Sequence, residues 1–309
     1  MRALVATPSA PGGISIREVP EPDPISDQLV VDVRAVSLNR GECVALRHAE
    51  EGWRPGWDVA GIVTHPAANG TGPPQGARVV GWVNGGAWAE RAAVRTDHLA
   101  EIPDDLSLEV ASTVPVAGLT AVGVLSVTGS LLGKRVAITG AAGGVGRFAI
   151  QLAHMGGAYV VAIVGRPERG SGLAEIGADE IVVGFAPEGD PFDLVMESVG
   201  GASFAAAVAR IAPEGIIVSM GNSSEEPATF DPRVFYRKGA PTIVGYFVVH
   251  ELVRGRIGTS RLAALASLVA EGRLTSAVDV QVPWDRAPEA IEALLERRIS
   301  GKAVLTIGG

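Results

Sequence analysis

The chain has 309 residues, more than a single hydrophobic core usually organises, so its length predicts two domains. Hydrophobic residues make up 47% of it and aromatics only 5%, so the core must be built from Val, Ala, Leu and Ile. A formal charge of -8 offers no phosphate-neutralising surface and argues against nucleic acid as a partner. With Cys43 as its one cysteine the chain forms no intrachain disulfide, which is compatible with a reducing compartment. No apolar run approaches the roughly 20 residues that span a bilayer, and residues 1–13 lack the long apolar region of a signal peptide. The expectation is a cytoplasmic protein with no membrane partner.

In chain order, residues 1–13 read as a short strand and a Pro/Gly turn. Residues 29–37 alternate as a half-buried strand does, and 59–64 and 78–83 are two further candidates. Between those two lies a loop dense in Gly, Pro and Asn, residues 67–77. This third of the chain shows no helix–strand alternation. Residues 108–119 are apolar and mildly helical, with Pro115 as an interruption, and 120–127 read as another helix. From Lys134 the alternation becomes regular. Strands are predicted at 135–139, 159–164, 180–183, 193–197, 215–220 and 242–247. Helices are predicted at 144–155, 167–177 and 202–211. Six strands with helical connections between most pairs predict an α/β, doubly wound parallel sheet of the Rossmann kind. Amphipathic helices at 261–271 and 288–297 and a strand at 302–307 close the chain.

The strongest local signal is residues 135–157, where an apolar strand runs through Gly140-Ala141-Ala142-Gly143-Gly144-Val145-Gly146 into a helical pattern. Glycines let the backbone approach a pyrophosphate, and the helix N-terminus presents free N–H groups to it. Ala142, Gly143, Gly144, Val145 and Gly146 are the candidate phosphate contacts. The spacing is GxxGxxG, with Ala141 where the usual motif has its first internal glycine, so strand-before and helix-after carry the assignment. A nucleotide site selective for NAD carries an acidic residue at the end of the second strand. Here that strand runs into Gly165-Arg166-Pro167-Glu168-Arg169. Arg166 and Arg169 suit a 2′-phosphate, so the predicted cofactor is NADPH; the bland alternative is two solvated surface charges.

The landmarks VSLNRGE (36–42), RPGWDVAGIV (54–63), VPVAGLTAVGVL (114–125), TGAAGGVGRFAIQLA (139–153), EIGADEIV (175–182), FDLVMESVGG (192–201) and GKAVLTI (301–307) together resemble the zinc-free quinone oxidoreductase branch of the medium-chain dehydrogenase/reductase superfamily. The resemblance covers nearly the whole chain. It implies a mostly β, GroES-like catalytic domain from residues 1–117 and 248–309, a Rossmann domain at 118–247, and a homodimer formed through Rossmann edge strands such as 242–247. Zinc enzymes of the superfamily hold their catalytic metal with a Cys in the first segment and Gly-His-Glu in the second. Asn39 and Gly56-Trp57-Asp58 stand there instead, so no metal is expected. Without that Lewis acid an activated acceptor suits the chain best, a quinone or α,β-unsaturated carbonyl that takes hydride into a conjugated system. The other readings are an enoyl-thioester or biosynthetic tailoring reductase, and a catalytically silent NADPH-binding sensor or structural protein.

By the same resemblance Asn39 is the leading candidate in the cleft, the alternative being a turn-forming Asn after a strand; Arg40, water or a residue on another loop is the candidate source of a proton. The LN segment carries no Tyr to serve as a proton donor. Thr120 corresponds to a position beside the nicotinamide, or else caps a helix. Ser198 and Val199 follow the fourth strand of the sheet, and Met220 and Gly221 the fifth. Tyr246 and Phe247 either stack near the nicotinamide or belong to the core. Lys302 corresponds to a position near the cofactor, or is an exposed basic residue. Trp53, Trp57, Trp82 and Trp88 line an apolar pocket or fill the core.

Overall fold

The computed structural model describes residues 1–255 and 258–308. Its strands are β1 (Arg2–Ala6), β2 (Ile14–Glu18), β3 (Gln28–Ser37), β4 (Asp58–His65), β5 (Arg78–Trp82), β6 (Arg91–Arg95), β7 (Leu99–Glu101), β8 (Arg135–Thr139), β9 (Tyr159–Val164), β10 (Glu180–Val183), β11 (Phe192–Glu197), β12 (Ile211–Ser219), β13 (Thr242–Gly245), β14 (Val278–Pro283) and β15 (Lys302–Thr306). Its helices are α1 (Arg40–Leu46), α2 (Leu108–Ala111), α3 (Pro115–Ser126), α4 (Gly144–Met155), α5 (Gly201–Arg210), α6 (Pro232–Tyr236), α7 (Val248–Val253), α8 (Thr259–Ala270) and α9 (Ala287–Leu295). The chain divides into two compact units, the first made of Met1–Leu119 and Val249–Gly309, the second of Thr120–Val248.

The first unit holds a seven-stranded sheet in the order β14-β15-β3-β4-β5-β7, with β6 also on β3, and a separate β1–β2 hairpin. β3 is ten residues long, and Leu29, Val31 and Val33 bury their side chains in a core shared with Leu4, Val63, Trp88 and Leu305. Most of β3 is buried, with only Gln28, Asp32 and Arg34 partly or fully exposed, and its β-branched valines suit a strand packed in the sheet. Pairing is antiparallel from β3 to both β4 and β15, with Ala35 opposite Ala60 and Ser37 opposite Val304. That register brings the end of β3 beside the starts of β4 and β15. Asn39, Asp58 and Lys302 therefore converge although they are remote in sequence.

The second unit is a six-stranded parallel sheet in the order β10-β9-β8-β11-β12-β13. Renumbered within the sheet this is 3-2-1-4-5-6, the order of a Rossmann domain, and its switch point lies between β8 and β11. Val161, Ile163, Val195 and Ile217 pack with Ala207 and Val208 of α5 to form a core on one side. Strands β8 and β9 and helix α4 have the bounds that their hydrophobic patterns predict.

Three expectations are corrected. The break expected at Pro115 is present, since α2 ends at Ala111 and Pro115 opens α3, but residues 115–126 form the single helix α3 where a separate helix was expected from residue 120. Proline is well suited to a first helical turn, where its missing N–H would have had no partner. Residues 167–177 do not form a full helix: a single 3-10 turn, Pro167–Gly170, is followed by turns with Gly172 and Gly177 at positive φ. Finally β2, β6, β7, β14 and α1 are elements the hydrophobic pattern did not announce.

Candidate functional site

In the first unit a buried polar cluster forms where β3, β4 and β15 meet. Asn39 precedes α1, and Glu42, one turn on, reaches back so that its Oε1 accepts from the Asn39 backbone N–H at 2.8 Å. This reach from the third helical position ties down the helix start and sets the entry of the chain into α1. The Asn39 side-chain amide is engaged at both ends. Its Nδ2 donates to Glu42 Oε1 at 3.1 Å and to Asp58 Oδ2 at 2.8 Å, and its Oδ1 accepts from Lys302 Nζ at 2.7 Å. Lys302 also donates to the Leu38 carbonyl at 3.0 Å and stands 3.6 Å from Asp58 Oδ2. Asp58 accepts further from Ser37 Oγ at 2.6 Å and from the Val116 N–H at 2.9 Å.

Glu42, Asp58 and Lys302 are all buried, so the cluster holds two carboxyl groups against one ammonium. Burial, reinforced by the nearby Asp58 charge, pushes the Glu42 carboxyl up to about 8. At neutral pH it is therefore a neutral acid. Burial, with Glu42 second, also pushes the Cys43 thiol well up, which removes it as a redox nucleophile. Arg40 Nη1 donates to the Leu295 carbonyl at 3.1 Å and ties α1 to α9.

In the second unit the candidate residues gather at the C-terminal ends of β8, β11 and β12. Gly140 follows β8 with φ of 60°, a left-handed conformation that favours glycine, and Gly143 caps α4. A Cβ on Gly146 would lie 2.6 Å from both Cα and O of Ala141, so only glycine lets the helix close onto the turn. Opposite, across the switch point, Glu197 ends β11 fully buried. Its carboxylate accepts from the N–H groups of Val199 (3.0 Å) and Gly200 (2.9 Å) and from Ser203 Oγ (2.8 Å). Burial raises its pKa, and these donors oppose the rise, led by the Gly200 N–H. The Ser198 N–H donates to Thr139 Oγ1 at 2.8 Å, and Ser198 Oγ donates to the Thr139 carbonyl at 3.2 Å. Met220 is tied to Glu197 through its N–H, and Gly221 packs on Ser198. β9 ends at Val164; a Cβ on Gly165 would meet open space, Arg166 is exposed and Arg169 half-buried.

Several alternatives are now decided. Thr120 is buried in the interior of α3 and caps no helix. Lys302 is only 4% exposed, so it is not a surface cation. Phe247 is 47% exposed and does not belong to the core, whereas the Tyr246 hydroxyl rests on Gly123, where a Cβ would lie 1.7 Å from it. Trp82 and Trp88 are core residues; Trp57 is half-buried with its ring against Gly41. The sequence reading missed Glu42, Asp58, Thr139 and Glu197 as site residues. The N-x-x-E spacing of Asn39 and Glu42 was a readable capping signal, and the Gly200-Gly201 pair after Glu197 marked the turn it holds.

This donor set does not fit zinc. An ammonium, not a lone-pair donor, sits against the Asn39 oxygen, and among the described residues no group of three or more His, Cys, Asp or Glu is placed to hold a metal ion. The second unit does fit a dinucleotide, since its glycine cradle is one a Cβ would fill. A doubly wound sheet with this loop at its switch point defines a dinucleotide-binding protein of the Rossmann class.

Comparison with known proteins agrees. A family model described as zinc-binding dehydrogenase matches residues 176–305. The chain is 34% identical over 298 residues to a protein of the spectinabilin polyketide synthase system of Streptomyces orinoci, covering 91% of this chain but 13% of that protein. It is 26% identical over 314 residues to a chloroplastic quinone-oxidoreductase homolog of Spinacia oleracea, covering 93% and 92% of the two chains. A mycobacterial protein solved in complex with NADPH superposes with a TM-score of 0.89 at 26% identity, covering 99% of this chain and 100% of that one. Over nearly its full length the chain resembles the quinone oxidoreductase branch of the medium-chain dehydrogenase/reductase superfamily. Among the described residues no helix is long and apolar enough to cross a membrane.

Proposed function

We propose that the chain is an NADPH-dependent reductase of a quinone or another α,β-unsaturated carbonyl compound. The observation that carries the reading is the glycine cradle after β8 combined with a β9 that ends on Gly165 and Arg166 instead of a carboxylate. NADPH, when bound, supplies a hydride from its nicotinamide. The residues of the second unit bind it: the backbone N–H groups of 142–146 take the pyrophosphate, Arg166 and Arg169 the 2′-phosphate, and Ser198, Val199, Met220, Gly221, Tyr246 and Phe247 belong to the nicotinamide half. Acceptor chemistry is assigned to the Asn39 segment of the first unit. There the amide cannot donate to the acceptor oxygen while both of its Nδ2 hydrogens serve carboxyl oxygens. The role we give Asn39 is thus to hold the LN segment in place.

NADPH oxidation against a panel of quinones and enones tests the reading, and no turnover with any of them refutes it. Arg166→Ala should weaken NADPH roughly 10- to 100-fold and leave NADH unchanged, because a charge-assisted contact to the 2′-phosphate is lost. Equal weakening of both would remove Arg166 from the site. An enoyl thioester is the second reading, favoured by the 34% identity to the polyketide synthase protein. Faster turnover of a crotonyl thioester than of any quinone would select it. We place a homodimer contact at β13, an edge strand whose Thr242 and Ile243 are exposed, and light scattering at monomer mass would exclude it.

A further inference from the structure

We infer that Lys302 is a positioning residue for the reductase reaction: its buried ammonium, between the Leu38 carbonyl and Asn39 Oδ1, fixes the Asn39 amide in one orientation. The inference rests on the reductase reading for its activity test but not for its structural one. An amide has one donating and one accepting end, and the two fit different neighbours. Lys302 only donates, so it selects the oxygen. Glu42 Oε1 and Asp58 Oδ2 accept from the other side and select the nitrogen. A flipped amide would set Nδ2 against the ammonium and Oδ1 between two carboxyl groups, which removes three hydrogen bonds at once.

The ammonium is itself held by the sheet. Leu38 N–H donates to the Ala303 carbonyl at 2.9 Å, and the register with Val304 opposite Ser37 sets Lys302 beside the end of β3. Its ammonium also faces Asp58 at 3.6 Å, with both side chains buried. The position of a cation beside Asn39 is therefore written into the fold by a side chain, among residues that do not suit a metal.

The test uses the intact chain, with wild-type NADPH oxidation on one acceptor as reference. Lys302→Ala should lower kcat roughly 100-fold, the loss typical of a small misplacement near the reacting atoms, while KM for the acceptor moves far less. Methylammonium or ethylammonium added to that variant should restore several-fold of the loss by refilling the cation position. The double variant Lys302→Met with Asp58→Asn removes both charges and so keeps the fold if the single variant loses it. Its kcat should stay low and should not respond to amines. Wild-type kcat in either variant, or no response of Lys302→Ala to any alkylammonium, overturns the inference. A crystal structure of the double variant reads the same point without turnover. The Asn39 amide should leave its present orientation, and an unmoved amide refutes the role of Lys302. An inactive wild type counts against the reductase reading alone, since that structural comparison still decides the case of Lys302.

Discussion

Replacing Glu42 by glutamine is expected to make the first unit more stable at alkaline pH and to flatten its pH dependence. The Glu42 side chain is buried, and its Oε2 has no hydrogen-bond partner among the described residues. Burial first, and the Asp58 charge second, raise its carboxyl from 4.5 to about 8. Between those two values the folded chain keeps a proton that the unfolded chain has released. Stability from this group is thus complete below the unfolded value and is lost as pH rises through the folded one. The slope is at most about 1.4 kcal/mol per pH unit, so the loss across the window is on the order of 4 kcal/mol. Glutamine mimics the neutral acid: its carbonyl can still accept from the Asn39 N–H and Nδ2, and it has no proton to lose. All five tryptophans (53, 57, 82, 88 and 284) lie in the first unit, and all three tyrosines (159, 236 and 246) in the second. Urea unfolding followed by tryptophan fluorescence therefore reads the unit that contains Glu42. Near pH 5 wild type and variant should have similar midpoints, and by about pH 8.5 the variant should be the more stable by a few kcal/mol. Parallel midpoint curves across that range would refute the argument.

Two further outcomes concern the second unit. Gly146→Ala should cost roughly 1–3 kcal/mol or more despite alanine's better helix propensity, because the added Cβ meets three backbone atoms of Ala141 within 2.7 Å. Thermal melting with and without NADPH checks this, and an unchanged melt together with unchanged binding would mean that the loop opens easily. Glu197→Gln should cost roughly 1–3 kcal/mol, since an amide NH2 is set against N–H donors that now find a carboxylate. Weaker NADPH binding, by titration, should accompany it if the loop 198–201 is part of the cofactor site.

The sheet of the second unit was legible because most of its strands are compact apolar runs flanked by glycine or a helix signal, and β8, α4 and β9 follow from that pattern alone; the start of β12 did not, because Pro213-Glu214-Gly215 interrupts its apolar run. Short elements were harder. α1 has no apolar stripe: Arg40, Gly41 and Glu42 head it, and it is held by the Glu42 reach to Asn39 and by Gly41 packing against Trp57. β7 is three residues long and is defined by its pairing with β5, which no local window contains. The second-unit site was readable as a loop because its glycines are contiguous. The first-unit cluster was not, because its logic is pairing across the sheet: Asn39 and Lys302 look unrelated until the register of β3 with β15 sets them side by side.

That register has a consequence for how the chain is assembled. β15 is made after the whole of the second unit, and Lys302 closes a hydrogen bond to Leu38 across 264 residues. In the order of synthesis, Asp58 and Glu42 emerge long before their cation, and the whole continuous second unit is complete before it arrives. The early segment of the first unit must therefore wait with two carboxyl groups that only solvent neutralises, while the nucleotide-binding unit has everything it needs. Closing so long a loop is entropically dear and slow. The cluster is thus a late seal on the fold: the first unit gains its buried charge balance only when β15 docks beside β3.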